Sequence, residues 1–249
     1  MPLCLKGVPM IQIISAYGCM LLKAMGQTLL LTLLGLLFAC ILGLLFGILS
    51  VMRSKVCNVI AAIFVNVVRG VPLIVLAYFI YFGIPYGFNN ILNMKFTLTA
   101  LQAGTAALAL NCGAYMAEII RGGIQAVDPG QMEAARSLGL PYWRALQRVV
   151  LPQAIKIMIP SIINQFIITL KDSSILSVIG FPELVNTAKN VVAISFKSLQ
   201  TWAVVAIMYL IVILILSRIS KWLEKRLSYD GKLIMGRGKV HRRRKLKNA

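Results

Sequence analysis

Along the 249 residues, long stretches without a single charge alternate with short basic segments. Ala24 to Met52, Gly70 to Met94, Phe96 to Ala117 and Ser198 to Ser217 contain no Asp, Glu, Lys or Arg. A further apolar stretch, Ile157 to Phe181, is interrupted only by Lys171 and Asp172. A helix needs about 20 mostly apolar residues to cross a hydrocarbon core of roughly 30 Å, and each stretch is long enough. The pattern therefore predicts an all-α, polytopic membrane fold with five transmembrane helices, at about 27–51, 58–84, 98–120, 157–180 and 199–218.

Composition supports lipid as the solvent. Apolar residues make up 59% of the chain and charged ones 13%, against about 25% charged in a soluble domain, which excludes an ordinary soluble enzyme. The formal charge of +19 would suit a nucleic-acid binder if it lay on a polar face, but here it sits between apolar runs. Five spans put the termini on opposite sides, and Lys and Arg collect on the cytoplasmic side. With the C-terminus inside, the inner segments hold Arg53, Lys55, Arg121, Arg136, Arg144, Arg148, Lys156 and every basic residue from Arg218 onward. The outer segments hold only Lys6, Lys23, Lys95, Lys189 and Lys197, so the N-terminus is expected outside. The resulting division is an external segment 1–26, a transmembrane domain 27–227 and a flexible basic tail 228–249, with no internal repeat and no linker. The tail is expected to lie on the anionic inner leaflet.

Cys4, Cys19, Cys40, Cys57 and Cys112 are scattered singly and His241 is the only histidine, so neither a disulfide framework nor a metal site is expected. Ala16-Tyr17-Gly18-Cys19 resembles a lipoprotein cleavage site only faintly, because its flanks are poor.

The segment between the third and fourth spans, about 121–156, is too polar to insert and has helix punctuation. Asp128-Pro129-Gly130-Gln131 offers an N-cap carboxylate, a proline at the first helical position and a glutamine three residues after the cap. A helix through about Leu138 is expected, then Gly139 in a left-handed position, and a second helix opened by Pro141 through Leu151.

Glu133-Ala134-Ala135, Gly139, Val149 and Leu151-Pro152 stand at the spacing of the EAA loop. This loop resembles that of the membrane subunits of ATP-binding-cassette importers, with Val149 in place of the usual isoleucine. Arg69-Gly70-Val71-Pro72, Tyr81-Phe82-Gly83-Ile84-Pro85, Gly113 to Gly123, Asn164-Gln165-Phe166 and Lys171-Asp172-Ser173-Ser174-Ile175 narrow the resemblance to permeases for polar amino acids, of the histidine, glutamine and arginine type. Val71 and Ser173-Ser174-Ile175 depart from the common Thr and Thr-Ser-Leu of that family. The resemblance implies a type I importer fold working by alternating access. Its partners would be two ABC ATPase subunits, a second permease subunit, identical or similar, an extracytoplasmic solute-binding protein and membrane lipid, with no nucleic acid. It also implies that Glu133, Ala134, Ala135, Gly139, Leu151 and Pro152 couple to the ATPase.

The residues fit that reading. No Walker A loop is present, since Gly231 to Gly236 continues with Arg237-Gly238, where a phosphate cradle needs Lys and Ser or Thr. The chain is therefore expected to bind no cofactor and to catalyse no reaction, with ATP and Mg on the partner ATPase. Small Ala134 and Ala135 would allow close approach, Glu133 would pair with a partner arginine, and Gly139 would fix the bend. Ionisable residues within spans are costly and face cavities or partners, which singles out Arg69, Glu118, Lys171 and Asp172. A zwitterion needs both charges matched: Glu118 and Asp172 for the ammonium group, and Arg69 or amides freed near Gly70 and Pro72 for the carboxylate. The bland alternative pairs Glu118 with Arg121 and Lys171 with Asp172 within their own helices. Ser173, Ser174, Asn111 and Asn164 are further candidates for the path, and Gln165 and Thr169 weaker ones, because polar groups in spans also hydrogen-bond between helices. Gly35, Gly43 and Gly47 are read as close-packing positions. Rival readings are an ion-gradient-driven carrier or channel, which would want paired intramembrane acids or an inverted repeat, and an interaction protein acting through the basic tail.

Overall fold

The computed structural model describes residues 9–52 and 54–245, with side chains for 10–52 and 54–222. Every regular element among them is helical. Five helical stretches are long and apolar enough to cross a membrane: Met10–Leu49, Leu73–Asn90, Ala100–Gln125, Tyr142–Ile179 and Ser198–Trp222. The number matches the hydropathy pattern; three of the boundaries do not.

The first helix, α1 (Pro9–Leu49), takes in most of the expected external segment. Ile13, Leu21, Ala24 and Met25 form an apolar stripe at helical spacing, which packs against Leu184, Ala188, Val191, Val204 and Val205. Lys23, which marks the segment as polar in sequence, points outward. The expected second span at 58–84 is two helices. α2 (Lys55–Gly70) stops where Val71 turns extended, with φ −101° and ψ 128°. Pro72 can neither donate to the ladder nor tolerate an α-helical residue before it. The chain resumes as α3 (Leu73–Tyr78), a wide turn at Phe79–Gly83 and α4 (Ile84–Asn90).

α5 (Ala100–Gln125) is the central helix, opened by a reciprocal capping box between Thr99 and Gln102. It lies along α1 at backbone-contact distance. A β-carbon on Gly35 would stand 2.8 Å from that of Leu108, on Gly43 2.5 Å from that of Met116, and on Gly113 2.9 Å from that of Leu42. Close approach through small residues drives helix association in lipid, where the hydrophobic effect is absent.

After α6 (Pro129–Ser137), the chain rises in one helical run: α7 (Tyr142–Ala145), a wide turn Leu146–Val150, α8 (Leu151–Asp172) and a tight 3₁₀ segment Ser173–Ile179. The expected second loop helix and fourth span are thus continuous. α9 (Leu184–Ser195) and α10 (Ser198–Lys245) complete the fold. The backbone of the expected tail continues α10 as helix to Lys245, while its side chains, and residues 246–249, lie outside the described residues, as do Cys4 and Lys6.

Glu183 caps α9 from a position with no solvent exposure. Its carboxylate accepts the Val185 and Asn186 amides at 2.8 and 2.6 Å, and Tyr209 Oη donates to it at 3.4 Å. The amide before these, that of Leu184, donates to Thr28 Oγ1 at 3.0 Å. Burial pushes the Glu183 carboxyl above the usual carboxylate range, and these donors with Lys189 offset only part of that.

Candidate functional site

The break between α2 and α3 leaves the last carbonyls of one helix and the first amides of the next without helical partners. It opens onto a cavity of about 490 Å³ lined by Arg69, Gly70, Val71, Pro72, Leu73, Asn111, Tyr115, Gln165, Ile168 and Asp172. α5 contributes Asn111 and Tyr115, one turn apart; α8 contributes Gln165, Ile168 and Asp172, at i, i+3 and i+7 on one face. Arg69 lies over the Tyr115 ring with Cζ 4.9 Å from the centroid, a cation–π contact that holds it at the cavity wall. Asn111 and Gln165 are both more than nine-tenths buried. Asp172 has no ion-pair partner among the described residues.

Of the residues expected on the path, Arg69, Asn111 and Asp172 come together here. The others do not. Glu118 faces the next cavity toward the loop and is held by two arginines, Arg69 Nη1 at 3.7 Å and Arg121 one turn on. Its charge faces two cations of the chain, and the contact with Arg121 is the pairing within α5 that the sequence offers as the alternative. Lys171 and Asn164 are exposed and share a helix face about 100° away from Gln165. Ser173 and Ser174 turn back on α8, donating to the Leu170 and Lys171 carbonyls at 2.7 and 2.6 Å, and Thr169 Oγ1 donates to the Gln165 carbonyl. The charge pattern does not single out Tyr115; its signal is the spacing Asn111, Tyr115, Glu118 on one face of α5.

The first helix of the loop is built as its punctuation predicts, with one difference. Asp128 Oδ1 accepts the Gly130 amide at 2.8 Å, but Gln131 does not close the box, its Oε1 instead meeting Gln153 Nε2 at 3.4 Å. At the other end Gly139 has φ +86°. Its amide donates to Arg136 O and that of Leu140 to Ala135 O, the paired bonds of a Schellman ending. Glu133, Ala134, Leu138 and Trp143 are exposed, Leu138 at 85%. Glu133 has no ion-pair partner among the described residues. Ala135 is buried where α6 packs on the α7 turn, so its small size serves this chain's own packing. Leu151 is half-buried, and Pro152 follows the wide turn Leu146–Val150. A proline without its N–H is accommodated by such a turn, so these two residues shape the helix that carries the loop.

A helical membrane protein with a polar cavity at a broken span has the architecture of a membrane transport protein. The chain belongs to the family of binding-protein-dependent transport system inner membrane components, whose model matches residues 35–229. It is 40% identical over 172 residues to the glutamine transport system permease protein GlnP of Escherichia coli (strain K12), covering 69% of this chain and 76% of that one. It is 37% identical over 168 residues to the arginine transport system permease protein ArtQ of Bacillus subtilis (strain 168), covering 68% and 74%. The crystal structure of an amino acid ABC transporter with histidines superposes with a TM-score of 0.80 at 36% identity, over 89% of this chain and all of that chain. A methionine ABC transporter, MetNI, shares the fold at a TM-score of 0.70 and 19% identity, over 85% of this chain and 97% of that one. The protein is thus a multi-pass inner-membrane permease subunit of an ABC amino acid importer; the ATPase is a separate subunit. Its family implies ATPase, binding-protein and second-permease partners.

Proposed function

We propose that the chain carries a polar amino acid as a zwitterion through the cavity at the α2–α3 break. The observation behind this is that Arg69 and Asp172, not paired with each other, line one cavity together with the side-chain amides of Asn111 and Gln165. Asp172 takes the ammonium group. Arg69 and the first amides of the Leu73–Asn90 run take the carboxylate, as broken helices do in other transporters. Asn111 and Gln165 are left for a hydrogen-bonding side chain, and glutamine is the first substrate to test. The termini lie with the N-terminus outside and the C-terminus in the cytoplasm, as the Lys and Arg distribution indicates. A solute-binding protein delivers substrate from outside. Two ATPase subunits hold ATP and Mg and dock on the exposed face of α6, Glu133 against a cation of the partner. Since one chain has one such loop, two copies, or this chain and a similar permease, complete the transporter.

The test is ATP hydrolysis by the reconstituted transporter with its binding protein. Glutamine should stimulate it, and Asp172→Asn or Arg69→Gln should abolish the stimulation while the complex still assembles. Full stimulation in both variants would refute the assignment.

A further inference from the structure

The cavity at the helix break is one of three that lie along the same face of α5 among the described residues. A second, of about 420 Å³, lies one turn along α5 toward the loop and is lined by Asn58, Asn66, Glu118, Arg121 and Gln125 among others. A third, of about 490 Å³, shares Ser50, Asn58 and Gln125 with the second and reaches Asp128, Pro129 and Met132 of the coupling loop. All three follow one polar stripe of α5: Asn111, Tyr115, Glu118 and Gln125, at i, i+4, i+7 and i+14. Arg69 belongs to the wall of the first cavity and Glu118 to that of the second. The 3.7 Å ion pair between them crosses the partition.

We propose that the Arg69–Glu118 pair is the inner gate of the path, closed while the pair is made. Asn58 Oδ1, lining both lower cavities, is buried without a hydrogen-bond partner, as expected of a wall that meets a polar occupant. Two features make the pair exchangeable. Glu118 is also bound by Arg121, so releasing Arg69 does not strand its charge. Arg69 in turn is held by the Tyr115 ring, and a carboxylate arriving in the first cavity can replace Glu118 as its counter-ion. Exchanging one anion for another on Arg69 avoids the penalty of leaving a partly buried charge unpaired, and biases a two-state element only when substrate is present. This exchange rests on the proposed substrate cavity; the gate itself rests on the geometry alone.

The test uses the complete transporter in inside-out membrane vesicles, with the native cysteines of this chain replaced and Ile168→Cys placed as a reporter in the first cavity. A membrane-impermeant methanethiosulfonate added on the loop side should reach that thiol past the pair. Glu118→Gln or Arg69→Gln should raise its labelling rate about fivefold, the change given by losing one ion pair of about 1 kcal/mol. The double variant should label no faster than either single one, because both remove the same interaction. A Ser54→Cys reporter, exposed between α1 and α2, should label equally in all forms and so controls for folding. Unchanged labelling in both single variants, or additive effects in the double variant, would overturn the gate. Opening by the Gln variants, in a transporter whose ATPase no amino acid stimulates, would keep the gate and remove the substrate reading.

Discussion

Gly43→Ala tests the contact on which the whole bundle is hung. The added methyl would stand 2.5 Å from the Met116 β-carbon and 3.4 Å from both the Ala117 nitrogen and the Gly113 carbonyl oxygen. Ordinary carbon–carbon contact is about 3.5–4.0 Å, so α1 and α5 must part by about 1 Å. Neither atom can rotate away, since a β-carbon is fixed by its backbone. Overpacking of this kind costs about 1–3 kcal/mol, while replacing a helical glycine by alanine gains up to about 1 kcal/mol. The expected net loss is about 1–2 kcal/mol, a fall of roughly 2–8 °C in midpoint for a chain of this size. Gly26→Ala is the control: nothing lies within 4 Å of its added methyl, so only the helix gain remains and the midpoint should rise. The assay is thermal unfolding of the detergent-purified chain followed by tryptophan fluorescence. A double-mutant cycle sharpens it, because Met116→Gly removes the clashing β-carbon and Met116→Ala does not. Gly43→Ala should couple strongly to the first and weakly to the second. Equal upward shifts for Gly43→Ala and Gly26→Ala would refute the close-packing argument.

Further outcomes follow from the loop and from α9. Gly139→Ala meets no atom within 4 Å but must hold φ +86°, so it should cost about 1 kcal/mol of loop order and weaken copurification of the ATPase while leaving the membrane core's unfolding midpoint unchanged. Glu133→Lys should lower ATPase copurification through charge reversal on an exposed face, read by pull-down, and a compensating acidic substitution on the ATPase should restore it. Because burial raises the Glu183 carboxyl above its ordinary value, the folded chain holds a proton that the unfolded chain releases. Its contribution is therefore greatest in acid and declines as pH rises from the ordinary carboxylate value through the raised one. Unfolding midpoints across that window should fall with pH in the native chain and flatten in Glu183→Gln.

Hydropathy and basic-residue bias are properties of single segments, which is why the span count and the loop's position are legible without a fold. Caps are also local: Asp128, Pro129 and Gly139 act on backbone groups within a few residues, so they appear in sequence and again in the structure. The boundaries of α1 are less legible, because Ile13 and Leu21 earn helical status only through α9 and α10. Glu183, without charge pattern or motif, is placed by Tyr209, distant in sequence, while Thr28 holds the neighbouring Leu184 amide.

The sequence alone determined that this protein lives in lipid, where its polar loop lies, and what family its motifs join, because those depend on composition and short spacing. Only the tertiary structure decided which charges meet. Arg69, Glu118 and Asp172 look equivalent as costly ions inside spans, yet the helix break at Val71–Pro72 and the rotation of α5 and α8 set Asp172 free in a cavity and bind Glu118 between two arginines. A charge within a membrane takes its role from what stands opposite it, and that is a property of packing between helices.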